Sequence, residues 1–155
     1  MPKMLRLILV LALSLTAFLP VNAQNRLNAK ADNILGEYKG THSGEPFKVR
    51  VTKDADGTYK AQMFWVQNDR DEYGRKILDP KNPDKSLRKV PCDRIVIITG
   101  LRYDTERQHW GDTKIYDPTR GIRAKVTAHF DTSGRLCVRG TLFGIGETLY
   151  WQRIQ

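Results

Sequence analysis

The sequence predicts an all-β fold, an eight-stranded antiparallel up-and-down barrel. From Ile34 onward apolar and polar residues alternate with a period of two, turn residues separate the runs, and no long run has a helical period. Most connections are too short for crossover helices, so neighbouring strands should run antiparallel as a meander. Eight such strands can close and leave space for one small ligand. A β-sandwich is the competing all-β fold, which the spacing alone does not exclude.

Residues 1–23 have the pattern of a secretory signal peptide. Lys3 and Arg6 give a positively charged start, and residues 7–19 form an apolar run that is short for a bilayer span. Residues of small or modest size then precede an expected cleavage site after Ala23. We therefore expect a periplasmic or secreted protein with no transmembrane segment in the mature chain. An uncleaved N-terminal anchor is the alternative.

The chain is basic, with 26 Lys and Arg against 17 Asp and Glu and a net charge of +9. Loss of Lys3 and Arg6 with the signal peptide leaves +7. The mature chain has about 130 residues, the size of one domain. A positive balance favours anionic partners such as lipid headgroups, acidic glycans or nucleic acid. Because the charges are scattered along alternating strands, we interpret them as a solvated barrel exterior and expect no nucleic-acid partner.

The first part of the mature chain contains three expected strands. Residues 24–33 are polar and alanine-containing, typical of a flexible lead-in or one helical turn, so the barrel domain should occupy residues 34–155. The first strand runs from Ile34 to Gly40. The second alternates through residues 47–52, before a hairpin turn. The third carries four side chains on one face, Tyr59, Ala61, Met63 and Trp65.

A long connection, residues 67–92, interrupts the alternation. It contains three prolines and many charged residues, with little to bury. A loop of this length inside a compact domain is usually functional or mobile, so we expect it to act as a mouth or lid. The strand that follows, residues 94–103, is the most apolar one. Its run Ile95-Val96-Ile97-Ile98 predicts that both faces of this strand are covered by other parts of the protein.

A tight corner organises the second half of the chain. A short strand, residues 114–116, reaches Asp117 and Pro118, whose side chains suit a turn. Gly121 then supplies the unusual dihedral that lets the chain reverse. Three further alternating strands complete the predicted eight: residues 122–130, 135–143 and 147–154.

Four motifs occur in order along the chain: Asp79-Pro80-Lys81-Asn82-Pro83-Asp84 with Leu87-Arg88; Gly111 with Ile115-Tyr116-Asp117-Pro118 and Gly121; Leu136-Cys137-Val138-Arg139-Gly140; and Trp151-Gln152-Arg153. With them the chain, from about Ile34 to Arg153, resembles the bacterial exported family filed as domain of unknown function 2147. The resemblance implies a lipocalin-like barrel that is secreted or periplasmic, with no reaction established for the family. The chain departs from the family at Tyr38, where tryptophan is usual, and at Val90-Pro91-Cys92, which replaces a Gly-rich link.

The resemblance also implies how the barrel closes. Lipocalins typically pack the ring of a first-strand Gly-x-Trp motif under an arginine from near the end of the barrel. In this chain Gly36-x-Tyr38 and Arg153 match those positions. We therefore expect the Arg153 guanidinium to lie over the Tyr38 ring, a contact worth about 0.5–2 kcal/mol depending on burial.

Five residues are candidates for contact with a ligand in the barrel. Tyr38, Trp65, Tyr116 and Trp151 are aromatic residues that would line an apolar cavity, although ordinary barrel packing explains each of them equally well. Arg139 has the opposite parity to its apolar neighbours, which predicts that it faces outward. In a barrel with a wet interior it would face inward instead and bind an anionic headgroup.

No pattern typical of catalysis or metal binding is present. Asp79, Asp84 and Asp117 each lie next to a proline, where an aspartate already bonds the backbone, so turn chemistry explains them better than acid–base catalysis. The histidines share no ligand spacing, and we expect no metal, no cofactor and no catalytic residue. Cys92 and Cys137 would form a disulfide in an exported protein only if the topology brings them together, which the sequence leaves open.

The sequence favours a non-enzymatic binding protein of the bacterial envelope, with a small apolar or amphipathic molecule, with or without an acidic group, in a barrel cavity. An interaction module with a filled barrel, which docks on an envelope partner, is one alternative. An enzyme that acts on an envelope saccharide or lipid through the loop carboxylates is the other. No partner protein is indicated.

Overall fold

A computed structural model of the chain describes residues 25–154, and these residues form eight antiparallel strands in one closed barrel, which confirms the predicted fold. The predicted signal peptide lies outside the described residues. None of the helices in residues 25–154 is long and apolar enough to cross a bilayer. The strands are β1 (Gly36–His42), β2 (Glu45–Lys53), β3 (Tyr59–Val66), β4 (Val96–Asp104), β5 (His109–Asp117), β6 (Ile122–Phe130), β7 (Leu136–Leu142) and β8 (Ile145–Arg153).

Each strand pairs with its neighbours in sequence, and the last strand pairs with the first. In this closing ladder Tyr38 lies opposite Arg153, and Lys39 lies opposite Gln152. Closure pairs the backbone groups that the free edges of an open sheet would expose. The fold is therefore a barrel and not the sandwich that the strand spacing left open.

The up-and-down strand order gives the barrel two different ends. The connections β2–β3, β4–β5 and β6–β7 lie at the end where the chain enters β1, and we call this the closed end. The remaining connections lie at the opposite, open end. They include the long segment of residues 67–95 between β3 and β4.

Residues 25–35, which we call the plug, cover the closed end. The Asn28 side chain bonds both the N–H and the carbonyl of Phe130, at 2.7 and 2.9 Å. The Trp110 indole donates to the Ala31 carbonyl at 3.0 Å. The sequence-based expectations for this segment are a flexible lead-in or one helical turn. The described residues contain helical turns, and their asparagines cap barrel backbone groups. The plug contains two one-turn 3-10 helices, Arg26–Asn28 and Ala31–Ile34, and the β3–β4 connection contains two more, Lys85–Leu87 and Cys92–Arg94.

Arg153, the last residue of β8, joins the barrel to the plug. Its guanidinium carbon lies 4.9 Å from the centre of the Tyr38 ring, and its terminal nitrogens donate to the carbonyls of Leu35 and Asn33. The buried Tyr38 hydroxyl donates to the Ile34 carbonyl at 2.7 Å. The arginine–tyrosine contact that the family resemblance implies is confirmed.

A bulge in β3 interrupts the period-two pattern of the interior. Tyr59 and Met63 are buried inside the barrel. The register with β2 then shifts so that Lys48 pairs with Trp65, and one extra β3 residue is inserted after Met63. An inserted residue moves the side chains beyond it to the other face. Trp65 is therefore 39% exposed on the outside, and the expectation that it shares a face with Tyr59 is wrong.

Cys92 and Cys137 are both free thiols, which answers the question of a disulfide that the sequence left open. Cys137 is buried within β7, while Cys92 is partly buried in the β3–β4 connection. Burial raises the pKa of both thiols and so favours the unreactive protonated form.

Candidate functional site

An apolar cavity of about 480 Å³ lies in the half of the barrel next to the open end. Its volume falls within the range of roughly 300–1,000 Å³ that is typical of small-molecule sites. The barrel wall supplies an apolar lining that consists mainly of aliphatic side chains and one phenyl ring. These residues include Phe47, Met63, Ile97, Ile115 and Leu149.

A second cavity, of about 340 Å³, adjoins the first at the open end. His42, Ile115, Asp117 and Leu149 line both cavities. The second one continues towards the β7–β8 turn, where Phe143 belongs to its lining. A bound molecule that is too long for the first cavity therefore has apolar surface available beside it.

Residues 67–95 provide one side of the first cavity, and we call this segment the lid. Ile77, Leu78 and Cys92 line the cavity. Leu78 pairs with Pro91 in an isolated antiparallel bridge, and the Cys92 N–H donates to the Ile77 carbonyl at 2.9 Å. The long connection is thus a hydrogen-bonded structure at the position where the sequence analysis expects a mouth or lid.

Asp79 holds the lid against the barrel. Its side chain is only 1% exposed. One carboxylate oxygen accepts a hydrogen bond from the Tyr116 hydroxyl at 2.7 Å, and the other accepts from the Asn82 amide at 2.8 Å. Burial, followed by the bond to Asp79, raises the pKa of Tyr116, so the phenol stays protonated as a donor. Both hydrogen-bond partners of this buried carboxylate are neutral groups.

Four polar side chains form a network where the two cavities meet, and we call it the rim network: His42, Asp117, Arg120 and Glu147. His42 Nε2 lies 3.3 Å from Asp117 and His42 Nδ1 lies 3.6 Å from Glu147. Arg120 donates to the same two carboxylates at 2.7 and 2.6 Å. Burial raises the pKa of Asp117, but hydrogen bonds from Thr119 and the nearby His42 and Arg120 outweigh it, so the pKa lies below its ordinary value.

The geometry of the rim network limits its chemistry. His42 Nε2 is within hydrogen-bond distance of Asp117, whereas Nδ1 has no hydrogen-bond partner within the described residues. Asp117 and Glu147 are both bound to Arg120. A general base needs to be within hydrogen-bond reach of the proton that it removes, and here the nearest partners are the network's own members.

The structure brings two of the five sequence-predicted ligand residues into the cavity, Tyr116 and Trp151. Tyr38 lies deeper, towards the plug, with its ring centre 6.2 Å from that of Trp151. Trp65 and Arg139 lie on the outside of the barrel. Trp65 is outside because of the β3 bulge, and Arg139 follows the parity of its strand.

Arg139 packs along the outer surface of β8. Its guanidinium lies over Gly146, where a Cβ would meet a terminal nitrogen of Arg139, and it donates to the Thr148 hydroxyl at 3.2 Å. The prediction that Arg139 faces outward is therefore confirmed. The alternative of a wet interior, in which Arg139 binds an anionic headgroup, is wrong because this side chain does not line either cavity.

Trp151 forms part of the cavity wall and is 1% exposed. Its ring meets the Phe47 ring edge-on at 6.1 Å. Gly40 makes room for this pair, since a Cβ there would lie 2.8 Å from Phe47 and 3.1 Å from Trp151. Within the described residues the buried Trp151 Nε1 has no hydrogen-bond partner. Trp151 therefore carries an unpaired donor in the wall of the cavity.

Reasoning from sequence missed the roles of Asp79 and His42. Turn chemistry is correct for Asp84 and Asp117, which accept from the backbone N–H groups of Ser86 and Thr119. It is incomplete for Asp79, whose carboxylate bonds a side chain 37 residues away. The available signal was that this aspartate and its tyrosine partner both belong to the motifs of the family resemblance. No local pattern pointed to His42.

A family profile described as an uncharacterized protein conserved in bacteria (DUF2147) matches residues 36–153, which is the span from β1 to β8. The chain belongs to this family. Among curated proteins nothing matches the chain. A solved structure, protein HP1028 from the human pathogen Helicobacter pylori, is described as belonging to the lipocalin family. It is similar to this DUF2147 chain with a TM-score of 0.60 and 22% identity, over 78% of this chain and 82% of that one. The likeness shows a lipocalin-like fold.

Within residues 25–154 of this DUF2147 chain, no group of three or more His, Cys, Asp or Glu side chains is placed to hold a metal ion. The polar side chains that line the first cavity include Glu45, the buried Asp79, and two members of the rim network, His42 and Asp117. Such groups can form hydrogen bonds and charge interactions with a molecule placed in the cavity.

Proposed function

We propose that this DUF2147 chain is an exported, non-enzymatic binding protein of the bacterial envelope that holds one small, mostly apolar ligand in its barrel. The observation that carries the proposal is the cavity of about 480 Å³ with its aliphatic wall. Each 100 Å² of apolar ligand surface removed from water contributes roughly 2.5 kcal/mol, before the costs of association are subtracted.

The lid supports the proposal of a ligand that enters and leaves the barrel. It covers one side of the cavity with Ile77 and Leu78, and it is held to the barrel through the buried Asp79. Loops carried by a rigid barrel are common sites of recognition, because the barrel fixes their ends. The lipocalin-like fold agrees with this arrangement, since an eight-stranded barrel has room for one small ligand.

Binding has more support than either alternative function. An interaction module with a filled barrel does not account for the cavity. The enzyme alternative has less support, because the Asp117 and Glu147 carboxylates are both bound to Arg120 and the Asp79 carboxylate accepts two hydrogen bonds.

Export is part of the proposal, and its support is the signal-peptide pattern of residues 1–23. The test is the intact mass of the chain recovered from the periplasm or medium of its host. The proposal expects a chain that begins at Gln24. A full-length chain found only in the cytoplasm would contradict the proposed location in the envelope.

Native mass spectrometry of the protein from its own host tests the binding itself. The expected result is a second species, heavier by the mass of one small molecule, that organic extraction removes and that returns when the extract is added back. A chain that has only its own mass, and that takes up nothing from an extract of the host envelope, contradicts the proposal.

A further inference from the structure

We infer that the polar end of the ligand is cationic, as in a protonated amine, and is not a carboxylate. The inference rests on the proposed function and deepens it, because it names the chemistry that the cavity selects. It departs from the sequence-based expectation of an acidic group, which depended on Arg139. That arginine lies outside the barrel.

The charged residues that line the first cavity are carboxylates, which are negative. Three carboxylates belong to its lining, Glu45, Asp79 and Asp117, together with His42. Within the described residues, the lining of this cavity includes no lysine and no arginine. The chain as a whole has a net charge of +9, so the acidic lining is opposite to the overall balance. A cationic group is therefore attracted to the site, and an anion meets like charges there.

Asp79 is the most buried of these carboxylates. Its two hydrogen bonds come from the hydroxyl of Tyr116 and the amide of Asn82, which are both neutral. A buried carboxylate is costly unless a positive group or several donors compensate it, and each carboxylate oxygen has a further lone pair. An ammonium group in the cavity would supply both the charge and additional N–H donors.

Two of the cations near the open end already have hydrogen-bond partners. Arg120 belongs to the adjoining cavity and donates to Asp117 and Glu147. Lys81, in the lid, donates to the Thr119 carbonyl at 2.6 Å. An anionic headgroup would have to break the Arg120 bonds and leave two carboxylates without their partner. A cation needs no such rearrangement.

The free Trp151 N–H does not reverse this preference. It is a single neutral donor in the apolar wall, and an uncharged oxygen on the ligand body satisfies it. Charge-assisted hydrogen bonds are roughly twice as strong as neutral ones, so the carboxylates decide the sign of the preferred headgroup.

The test compares dodecylamine, dodecanol and dodecanoate, which share one apolar chain and differ in the headgroup. Each competes at neutral pH, below its micelle concentration, with the neutral fluorescent probe N-phenyl-1-naphthylamine for the purified protein. We expect the amine to bind most tightly and the acid most weakly, with a difference of at least about tenfold in Kd. Dodecanoate that binds as tightly as the amine, or more tightly, overturns the inference and leaves the proposed function standing.

Variants with matched charge changes test whether the preference for the amine arises at the cavity. Asp117→Asn and Glu45→Gln each remove a lining charge while keeping the size of the side chain, and each should reduce the preference for the amine several-fold. Asp112→Asn is the control, because it makes the same charge change on β5 at an exposed residue outside the cavity. An equal effect of all three variants overturns the inference. If neither the probe nor any of the three compounds binds, the inference and the proposed function both fall.

Discussion

The Tyr116 hydroxyl donates a hydrogen bond of 2.7 Å to the buried carboxylate of Asp79. This bond joins the end of β5 to the lid across 37 residues of sequence. Both residues line the cavity, so the contact that fixes the lid is also part of the binding surface. This pair of side chains therefore couples the position of the lid to the shape of the cavity.

Tyr116→Phe should weaken the attachment of the lid. The change removes one of the two donors of a buried carboxylate, and a buried group left unsatisfied costs about 1–3 kcal/mol. We expect lower stability in urea denaturation and faster proteolysis within residues 67–95. Tyr150→Phe is the control, since it removes a hydroxyl from a half-exposed ring on the barrel exterior. Equal stability and equal lid proteolysis in the two variants would show that the bond does not hold the lid.

Gly121→Ala should destabilise the same region through a clash. Gly121 has φ of +69°, and an added Cβ would lie 2.6 Å from the Lys81 carbonyl oxygen in the lid. Gly44→Ala is the control, because Gly44 has φ of +77° but open space around it. Both variants carry the strain of a left-handed backbone, roughly 1–2 kcal/mol, and only Gly121→Ala must also displace the lid. A larger loss of thermal stability for Gly44→Ala would be the contrary result.

Arg153→Ala should lower the stability of the barrel at its closed end. The variant loses the contact with the Tyr38 ring, worth about 0.5–2 kcal/mol, and leaves the Leu35 and Asn33 carbonyls without their charged donor. Arg139→Ala makes the same substitution on the exposed exterior and should change stability far less. The melting temperatures of the two variants test this role. An unchanged melting temperature for Arg153→Ala would show that Arg153 does not stabilise the closed end.

The buried tyrosines predict a loss of stability at high pH. Burial raises the pKa of Tyr38 from 10.0 to about 12, with Arg153 acting in the opposite direction. Folding therefore keeps the phenol protonated where the unfolded chain ionises. Its contribution is fully present below pH 10 and is lost as pH rises towards 12, with a slope of about 1.4 kcal/mol per pH unit. Burial also raises the pKa of Tyr59 and Tyr116, so their contributions decline in the same direction.

Urea denaturation at a series of pH values measures this slope. The Tyr38→Phe variant lacks one ionising phenol and should show a shallower decline than the wild type above pH 10. A wild-type stability that stays level from pH 10 to 12 would mean that these rings are not buried as described.

The barrel was predictable because its determinants are local. Alternation through residues 122–130 and the turn residues near Gly121 define strands and reversals without knowledge of distant contacts. The Arg153–Tyr38 contact was also accessible, since it follows from the position of two motif residues in a lipocalin-like barrel. These features depend on neighbours along one strand or on the order of strands.

The rest depends on contacts between residues far apart in sequence. The bulge in β3 is set by its register with β2, and it reverses the face of Trp65 without a local signal. The plug is ordered by bonds to Phe130, about a hundred residues away. The rim network joins His42 to Asp117 across the open end. In a single sequence the plug and the rim network look like ordinary polar loops and turns, because only the closed barrel brings their partners near.

Binding of N-phenyl-1-naphthylamine to three forms of the protein tests the cavity most directly. The forms are the wild type, Leu149→Trp and Tyr150→Trp. Leu149 lines both cavities, so tryptophan there occupies the space, whereas Tyr150 is the next residue of β8 and faces outward. We expect the wild type and Tyr150→Trp to saturate with one probe per chain, and Leu149→Trp to bind at least about tenfold more weakly. Equal binding by Leu149→Trp and Tyr150→Trp, or no saturable binding by the wild type, would contradict a ligand site inside the barrel.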